Sequence, residues 1–183
     1  VIANNYSWMD IGRVNVTTDG VANSFSFSPS ASFSSAPYVF GLPQTYNIST
    51  IVSNGIAAHS WFPTITTTGA DIVGCDHPGT VDSCAGTAVE EFGFVAIDTA
   101  NENFSKFNFG TRSIGNSDWT PISYTDTFSN PIISVMVNSE NGEQDPKYPW
   151  ARSVTSLGAD IRYCEQEGAN SCDTHNSEDT MWM

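Results

Sequence analysis

Gly69-Ala70-Asp71-Ile72 recurs in this chain as Gly158-Ala159-Asp160-Ile161, at an offset of 89. At the same offset Cys75 meets Cys164, Trp61 meets Trp150 and Thr66 meets Thr155. Upstream the offset drifts: Phe33 pairs with Phe128 at 95, and Pro37 with Pro131 at 94. Further up, Met9-Asp10-Ile11-Gly12 resembles Phe107-Asn108-Phe109-Gly110 at 98. Downstream, Glu90 meets Asp179 at 89, while Cys84 and Cys172 differ by 88, one residue being lost inside the loop. Drift confined to loops is what insertion into a duplicated domain produces, because loops tolerate length changes that strands do not. The 183 residues therefore read as two domains of about 90 residues each, not one large domain.

The repeated segments read as strands. Phe25-Ser26-Phe27-Ser28, Ile122-Ser123-Tyr124-Thr125 and Phe92-Gly93-Phe94-Val95-Ala96 alternate at period two. Tyr38-Val39-Phe40-Gly41-Leu42 and Ile132-Ile133-Ser134-Val135-Met136-Val137 are short apolar runs after a proline, the pattern of buried strands. No 3.6-residue period persists with a cap and a stop. Asn-Gly at 54–55 and 141–142 and Asp-Gly at 19–20 supply turn chemistry. Each copy offers about six strands, and the expected class is all-β: two tandem antiparallel sandwiches, each closed by one local disulfide hairpin.

Composition narrows the function. Six basic residues stand against twenty acidic ones, a formal net charge of −14. Nucleic acid and anionic membrane surfaces are therefore excluded as partners, since both need clustered Lys and Arg. No apolar run reaches the roughly 18 residues of a membrane span. Cys75 with Cys84, and Cys164 with Cys172, are closely spaced pairs without CxxC or His partners, which favours local disulfides over metal sites. That points to an oxidising compartment, outside the cell or on its surface. His59, His77 and His175 form no nucleophile motif and no GxSxG element is present, so the chain is expected not to be an enzyme.

The residues carry a further resemblance. Trp119-Thr120-Pro121-Ile122, Phe128-Ser129-Asn130-Pro131-Ile132-Ile133 and Val154-Thr155-Ser156-Leu157-Gly158-Ala159 follow the order of elements in an H-type lectin domain. The first copy shows Phe33-Ser34-Ser35-Ala36-Pro37-Tyr38-Val39, Ile65-Thr66-Thr67-Thr68-Gly69-Ala70 and Phe94-Val95-Ala96-Ile97. Each copy resembles the divergent H-type lectin-like domains of bacterial surface and pilus-biogenesis proteins of the mannose-sensitive haemagglutinin type. The resemblance implies a six-stranded sandwich, frequent oligomers, and in the animal members an N-acetylgalactosamine-type site. That site uses an Arg on the strand before the Val-Ser/Thr segment, with an Asp and an aromatic or His nearby. Only the second copy has an arginine in that region, Arg152; the first has Pro63 there. On this reading residues 1–10 are an N-terminal strand and linker, 11–98 the first domain, 99–108 a linker, and 109–183 the second domain with its last strand truncated.

Several residues are candidates for binding. Trp61 and Trp150 could stack sugar rings or pack structurally. Arg152 joins them as the arginine that the resemblance implies, and Asp76, His77 and His175 as a polar rim on the disulfide loops, or as solubilising charge. Glu140, Glu143 and Asp145 gather carboxylates beside amide oxygens, plausible calcium ligands or a solvated acidic loop; calcium is the one cofactor considered. The second copy stops at Met181-Trp182-Met183, level with Phe92-Gly93-Phe94, and the chain opens with Val1-Ile2-Ala3. Joined head to tail, these would rebuild the missing half-strand. The expectation is a non-enzymatic, extracellular, bacterial structural or adhesive repeat, one period of an array or a strand-exchanging subunit whose partners are copies of itself. The alternative is a carbohydrate-binding module that recognises glycans.

Overall fold

The computed structural model describes residues 7–43, 57–77, 84, 89–98, 100, 107–115, 118–139, 141, 147–165 and 177–183. Among them the chain is all-β: twelve strands form four antiparallel three-stranded sheets. The chain divides into two compact units, Val1–Glu102 and Asn103–Met183, and the division falls inside the expected linker at 99–108. Unit 1 holds β1 (Met9–Thr17), β2 (Asp19–Ser26), β3 (Tyr38–Pro43), β4 (Ala57–Ile65), β5 (Gly69–His77) and β6 (Val89–Ile97). Unit 2 holds β7 (Gly110–Ile114), β8 (Thr120–Ser123), β9 (Val135–Val137), β10 (Lys147–Arg152), β11 (Gly158–Glu165) and β12 (Glu178–Trp182).

The duplication is written in the topology. Unit 1 has sheets β1-β6-β3 and β2-β5-β4; unit 2 has β7-β12-β9 and β8-β11-β10, the same orders six strands later. Strand registers fix the residue equivalences. Gly12 pairs with Phe94 and Gly110 with Trp182, giving offsets of 98 and 88. Phe25 pairs with Ala70 and Ile122 with Ala159, giving 97 and 89. Gly41 also pairs with Phe94 and Val135 with Trp182, giving 94. Each drop falls in a connection between strands, because losing one residue inside a strand would turn its buried face to solvent. The same registers correct one equivalence: Glu90 matches Glu178, not Asp179, since the residue lost before Cys172 shifts all that follows. Glu90 is 2% exposed and Glu178 1%, as equivalent inward positions should be.

Local chemistry repeats along with the order. Thr66 Oγ1 donates to the Gly69 carbonyl at 2.9 Å, and Thr155 Oγ1 to that of Gly158 at 3.0 Å, so both β4–β5 and β10–β11 turns close in the same way. A Cβ on Gly69 would lie 2.3 Å from the Phe25 carbonyl oxygen, and one on Gly158 2.2 Å from that of Ile122. This backbone approach is the physical reason for the recurrent Gly-Ala. Asp10 Oδ2 accepts the Ser28 amide at 2.7 Å, while Asn108 Nδ2 donates to Thr125 Oγ1 at the equivalent place.

Three expectations need correction. Asp19-Gly20 does not close a hairpin: β1 and β2 lie in different sheets, and the dipeptide forms the irregular start of β2, with Asp19 opposite Cys75. Gly20 has φ 79° there, Asp19 Oδ1 accepts the Val21 amide at 3.0 Å, and the register slips between Asp19 and Ala22. Asn54 and Gly55 lie outside the described residues, as does Gly142. The apolar run from Ile132 pairs as a strand only from Val135, and Ile132 is 94% exposed. Cys75 and Cys84 do form a disulfide, but it closes the connection from β5 to β6, strands of different sheets, rather than a hairpin. Cys164 is disulfide-bonded as well; Cys172 lies outside the described residues.

Each unit has a β-sandwich-like core. In unit 1 Phe25 of one sheet rests on Phe94 of the other, ring centroids 4.6 Å apart, and Phe27 meets Phe33 edge-on at 5.1 Å. Val16, Val39, Ile72, Phe92 and Ala96 are fully buried around them. In unit 2 Ile114, Ile122, Val137, Ile161, Tyr163 and Trp182 form the equivalent cluster. Removing such side chains from water is the main favourable term of folding, about 1.5–3 kcal/mol for each large one.

Candidate functional site

In β10 and β11, Pro149 and Ala151 lie opposite Tyr163 and Ile161 and share the inner face. Alternation then sends Trp150 and Arg152 outward, where they lie opposite Arg162 and Asp160. Trp119 immediately precedes Thr120, which pairs with Ile161, so its indole reaches the same outer face. The four side chains interleave. The Arg162 guanidinium lies 4.4 Å over the Trp150 ring and 4.5 Å over that of Trp119, and Arg152 lies 4.1 Å over Trp119. Arg152 Nε also meets Asp160 Oδ2 at 3.4 Å, with the two side chains 53% and 30% exposed. A guanidinium over an indole face is held by the ring quadrupole, about 0.5–1 kcal/mol per pair at an exposed site. Among the described residues the result is an outer strip of two aromatic faces and two cations with one carboxylate, Asp160.

Unit 1 treats the equivalent positions in the opposite way. Trp61 pairs with Val73, and Val73 with Ala22, where unit 2 has Trp150, Arg162 and Trp119. Trp61 is 8% exposed against 43% for Trp150, and it packs with Val73, Cys75 and Cys84. The disulfide brings Cys84 over this face and closes it. Trp61 is thus corrected from a ligand-binding candidate to a packing residue, while Trp150 and Arg152 remain exposed.

Unit 2 also contains a cavity of about 320 Å³, lined among others by Phe107, Asn108, Tyr124, Phe128, Ile132 and Met183. In unit 1 the same place is filled by β6 itself: Ala96 pairs with Asp10 and Val39, and Ile97 with Met9 and Tyr38. Phe107, Asn108 and Ile132 are the counterparts of Met9, Asp10 and Tyr38. Met183 exchanges two 2.9 Å backbone hydrogen bonds with Ser134 at the edge of the cavity. The Tyr124 hydroxyl is buried without a hydrogen-bond partner among the described residues, and burial pushes its pKa up.

Two buried carboxylates organise the loops. Glu178 lies 3.3 Å from Lys147 Nζ, with both side chains 1% exposed. It also accepts the Asn141 amide at 3.0 Å and the Ser139 hydroxyl. One carboxylate thereby ties β12 to both flanks of the acidic segment 138–147. In unit 1 Asp98 accepts the amides of Ser34 and Ala100, each at 2.9 Å.

Glu140, Glu143 and Asp145 lie outside the described residues, as do His175 and Val1, Ile2 and Ala3. Asp76 and His77 end β5, opposite Ala58 and Ala57. Among the described residues no group of three or more His, Cys, Asp or Glu could hold a metal ion. Met181 and Trp182 are buried in their own sheet, paired with Met136 and Val135 of β9 respectively. Trp119, Asp160 and Arg162 carry no local sequence motif that marks them as ligand residues. The signal that finds them is the duplicated frame: at the equivalent positions unit 1 shares only the aspartate, Asp71. No family model matches the chain, and no match was found among curated proteins or solved structures.

Proposed function

We propose that the chain is a non-enzymatic, extracellular adhesive module of two tandem β-sandwiches, in which the second presents a saccharide-binding face. The observation that carries this reading is the contrast between the paired tryptophans. Trp61 is buried against the disulfide-bonded Cys84, whereas Trp150 stays exposed in an aromatic and arginine strip. An exposed indole offers a flat apolar face to the C–H groups of a pyranose, and the polar groups beside it fix orientation. The disulfides and the acidic, lysine-poor composition support an oxidising, extracellular setting. The resemblance to H-type lectin domains supports saccharides as the ligand class. A glycan array, read with and without calcium, tests it: binding lost in Trp150→Ala and kept in Trp61→Phe supports the reading. An array without any bound glycan opposes it.

A second reading, assembly into fibres through the cavity of unit 2, is favoured by the match between that cavity and the place of Ala96 and Ile97 in unit 1. An extended segment in line with β12 fits between the Phe107 and Ile132 stretches, whether from the same chain or a neighbouring copy. Val1-Ile2-Ala3 has suitable small and β-branched residues. Electron microscopy of native material tests it: filaments support assembly, and isolated single particles oppose it.

A further inference from the structure

We infer that the outer face of β8, β11 and β10 selects saccharides bearing a carboxylate, of the uronic-acid type; this rests on the saccharide-binding reading above. A neutral sugar needs an aromatic platform and a hydrogen-bond acceptor, which Trp150 and Asp160 already supply. Arg152 adds something else. Its side chain is 53% exposed and meets Asp160 through Nε, so the two Nη groups present an outer edge of N–H donors beside the indoles. That edge matches a carboxylate through two parallel hydrogen bonds. The carboxylate described in the strip, Asp160, meets Arg152 through Nε at 3.4 Å, a long contact.

Charge placement argues the same way. The chain has six basic residues and a net charge of −14, yet two of the six stand side by side on this exposed face. Among the described residues this face thus gathers two cations around one carboxylate, on a molecule that is otherwise strongly anionic. Within the duplicated frame the three features arrive together. Unit 1 has Pro63, Val73 and Ala22 where unit 2 has Arg152, Arg162 and Trp119. It carries neither cation and closes its tryptophan.

The test is a calorimetric titration of the whole chain with a tetragalacturonate and with the neutral galactose tetrasaccharide, at low salt. The acidic oligosaccharide is expected to bind at least about tenfold more tightly, the scale of hydrogen bonds to a charged group. Arg152→Gln should abolish that preference, Arg152→Lys should restore only part of it, and Asp160→Asn should strengthen acidic binding. Arg152 is exposed, so circular dichroism should be unchanged in its variants; Arg162→Gln is a second probe whose loss of fold would leave the Arg152 comparison intact. Equal affinities for the two sugars, or an Arg152→Gln variant that keeps the preference, overturn carboxylate selection while leaving saccharide binding standing. Binding of neither sugar, with an empty glycan array, overturns both. Displacement of the acidic sugar by an equal charge concentration of inorganic sulfate would mark a simple anion site and overturn the inference.

Discussion

Gly110 lies beneath the indole of Trp182: a Cβ added to the glycine would stand 1.9 Å from Trp182 Cζ2. Gly12 has the same relation to Phe94, where the added Cβ would stand 2.6 Å from Cζ. In each unit a glycine on the first strand makes room for the aromatic ring of the last. Gly110→Ala is expected to destabilise unit 2 by about 1–3 kcal/mol through overpacking, read as a lower urea midpoint. The loss should shrink in a Trp182→Leu background, since the ring is what the methyl meets. A loss independent of the residue at 182 would refute the packing explanation.

Trp182 also carries an indole N–H that is buried without a hydrogen-bond partner among the described residues. Its unit 1 equivalent is Phe94, which has no such donor. Trp182→Phe removes volume from the core but also removes a donor that lost its water on folding. The net change is expected to be small, below about 1.5 kcal/mol, where a large-to-small core change such as Trp182→Ala costs about 3–5 kcal/mol. Chemical denaturation of both variants checks the difference.

Lys147 and Glu178 form a fully buried ion pair, and Glu178 gathers hydrogen bonds from Ser139 and Asn141. Lys147→Met leaves a carboxylate buried against apolar surroundings, with an expected loss of about 3–5 kcal/mol. Adding Glu178→Gln in the same chain removes the uncompensated charge and keeps hydrogen-bonding capacity toward Ser139 and Asn141. Much of the stability should return. A double variant as unstable as the single one would show that the pair is not acting as a charge pair.

Asp98 gives unit 1 an acid-sensitive element. Burial pushes its carboxyl pKa up, but the Ser34 and Ala100 amides and the Ser34 and Ser35 hydroxyls outweigh this, leaving it below the ordinary value. The ionised form is thus favoured by folding, and its contribution is present above the unfolded pKa, about 3.9. It is lost as pH falls through the lowered folded value. Asp98→Asn should flatten the loss of stability over the acid window below about pH 4. Denaturation series on both proteins across that window measure the slopes; identical slopes would refute the assignment.

Reduction of the Cys75–Cys84 bond tests the cover over Trp61. A short loop of this kind contributes about 2–3 kcal/mol through the unfolded state. The double substitution Cys75→Ala with Cys84→Ala should lower the stability of unit 1 and redden the emission of Trp61, which packs against Cys84. Trp150 emission should not change. An unaltered Trp61 spectrum would mean that the disulfide is not what closes that face.

Much of this architecture was legible because it is local. Period-two alternation marked β2, β6 and β8, and the repeated Thr-x-x-Gly-Ala marked the turns into β5 and β11, because side-chain period and turn chemistry act over a few residues. The limits were equally physical. Asp19-Gly20 has the composition of a hairpin turn, yet β1 and β2 belong to different sheets, and composition alone does not say which strands pair. Ile132 looked buried, but its exposure depends on where β12 provides a partner.

The sequence by itself determined that the chain is a duplicated, disulfide-bearing β-protein, since offsets and cysteine spacing are properties of the string. Only tertiary structure decided what the duplicated tryptophans do. Trp61 and Trp150 occupy equivalent places, and nothing in either residue says which one faces water. That depends on the strand opposite, where Val73 or Arg162 stands, and on what the rest of each unit places nearby. Cys84 covers one indole, whereas Trp119 and the two guanidiniums leave the other exposed. Cross-strand neighbours are distant in sequence, so this distinction arises only when the sheets form.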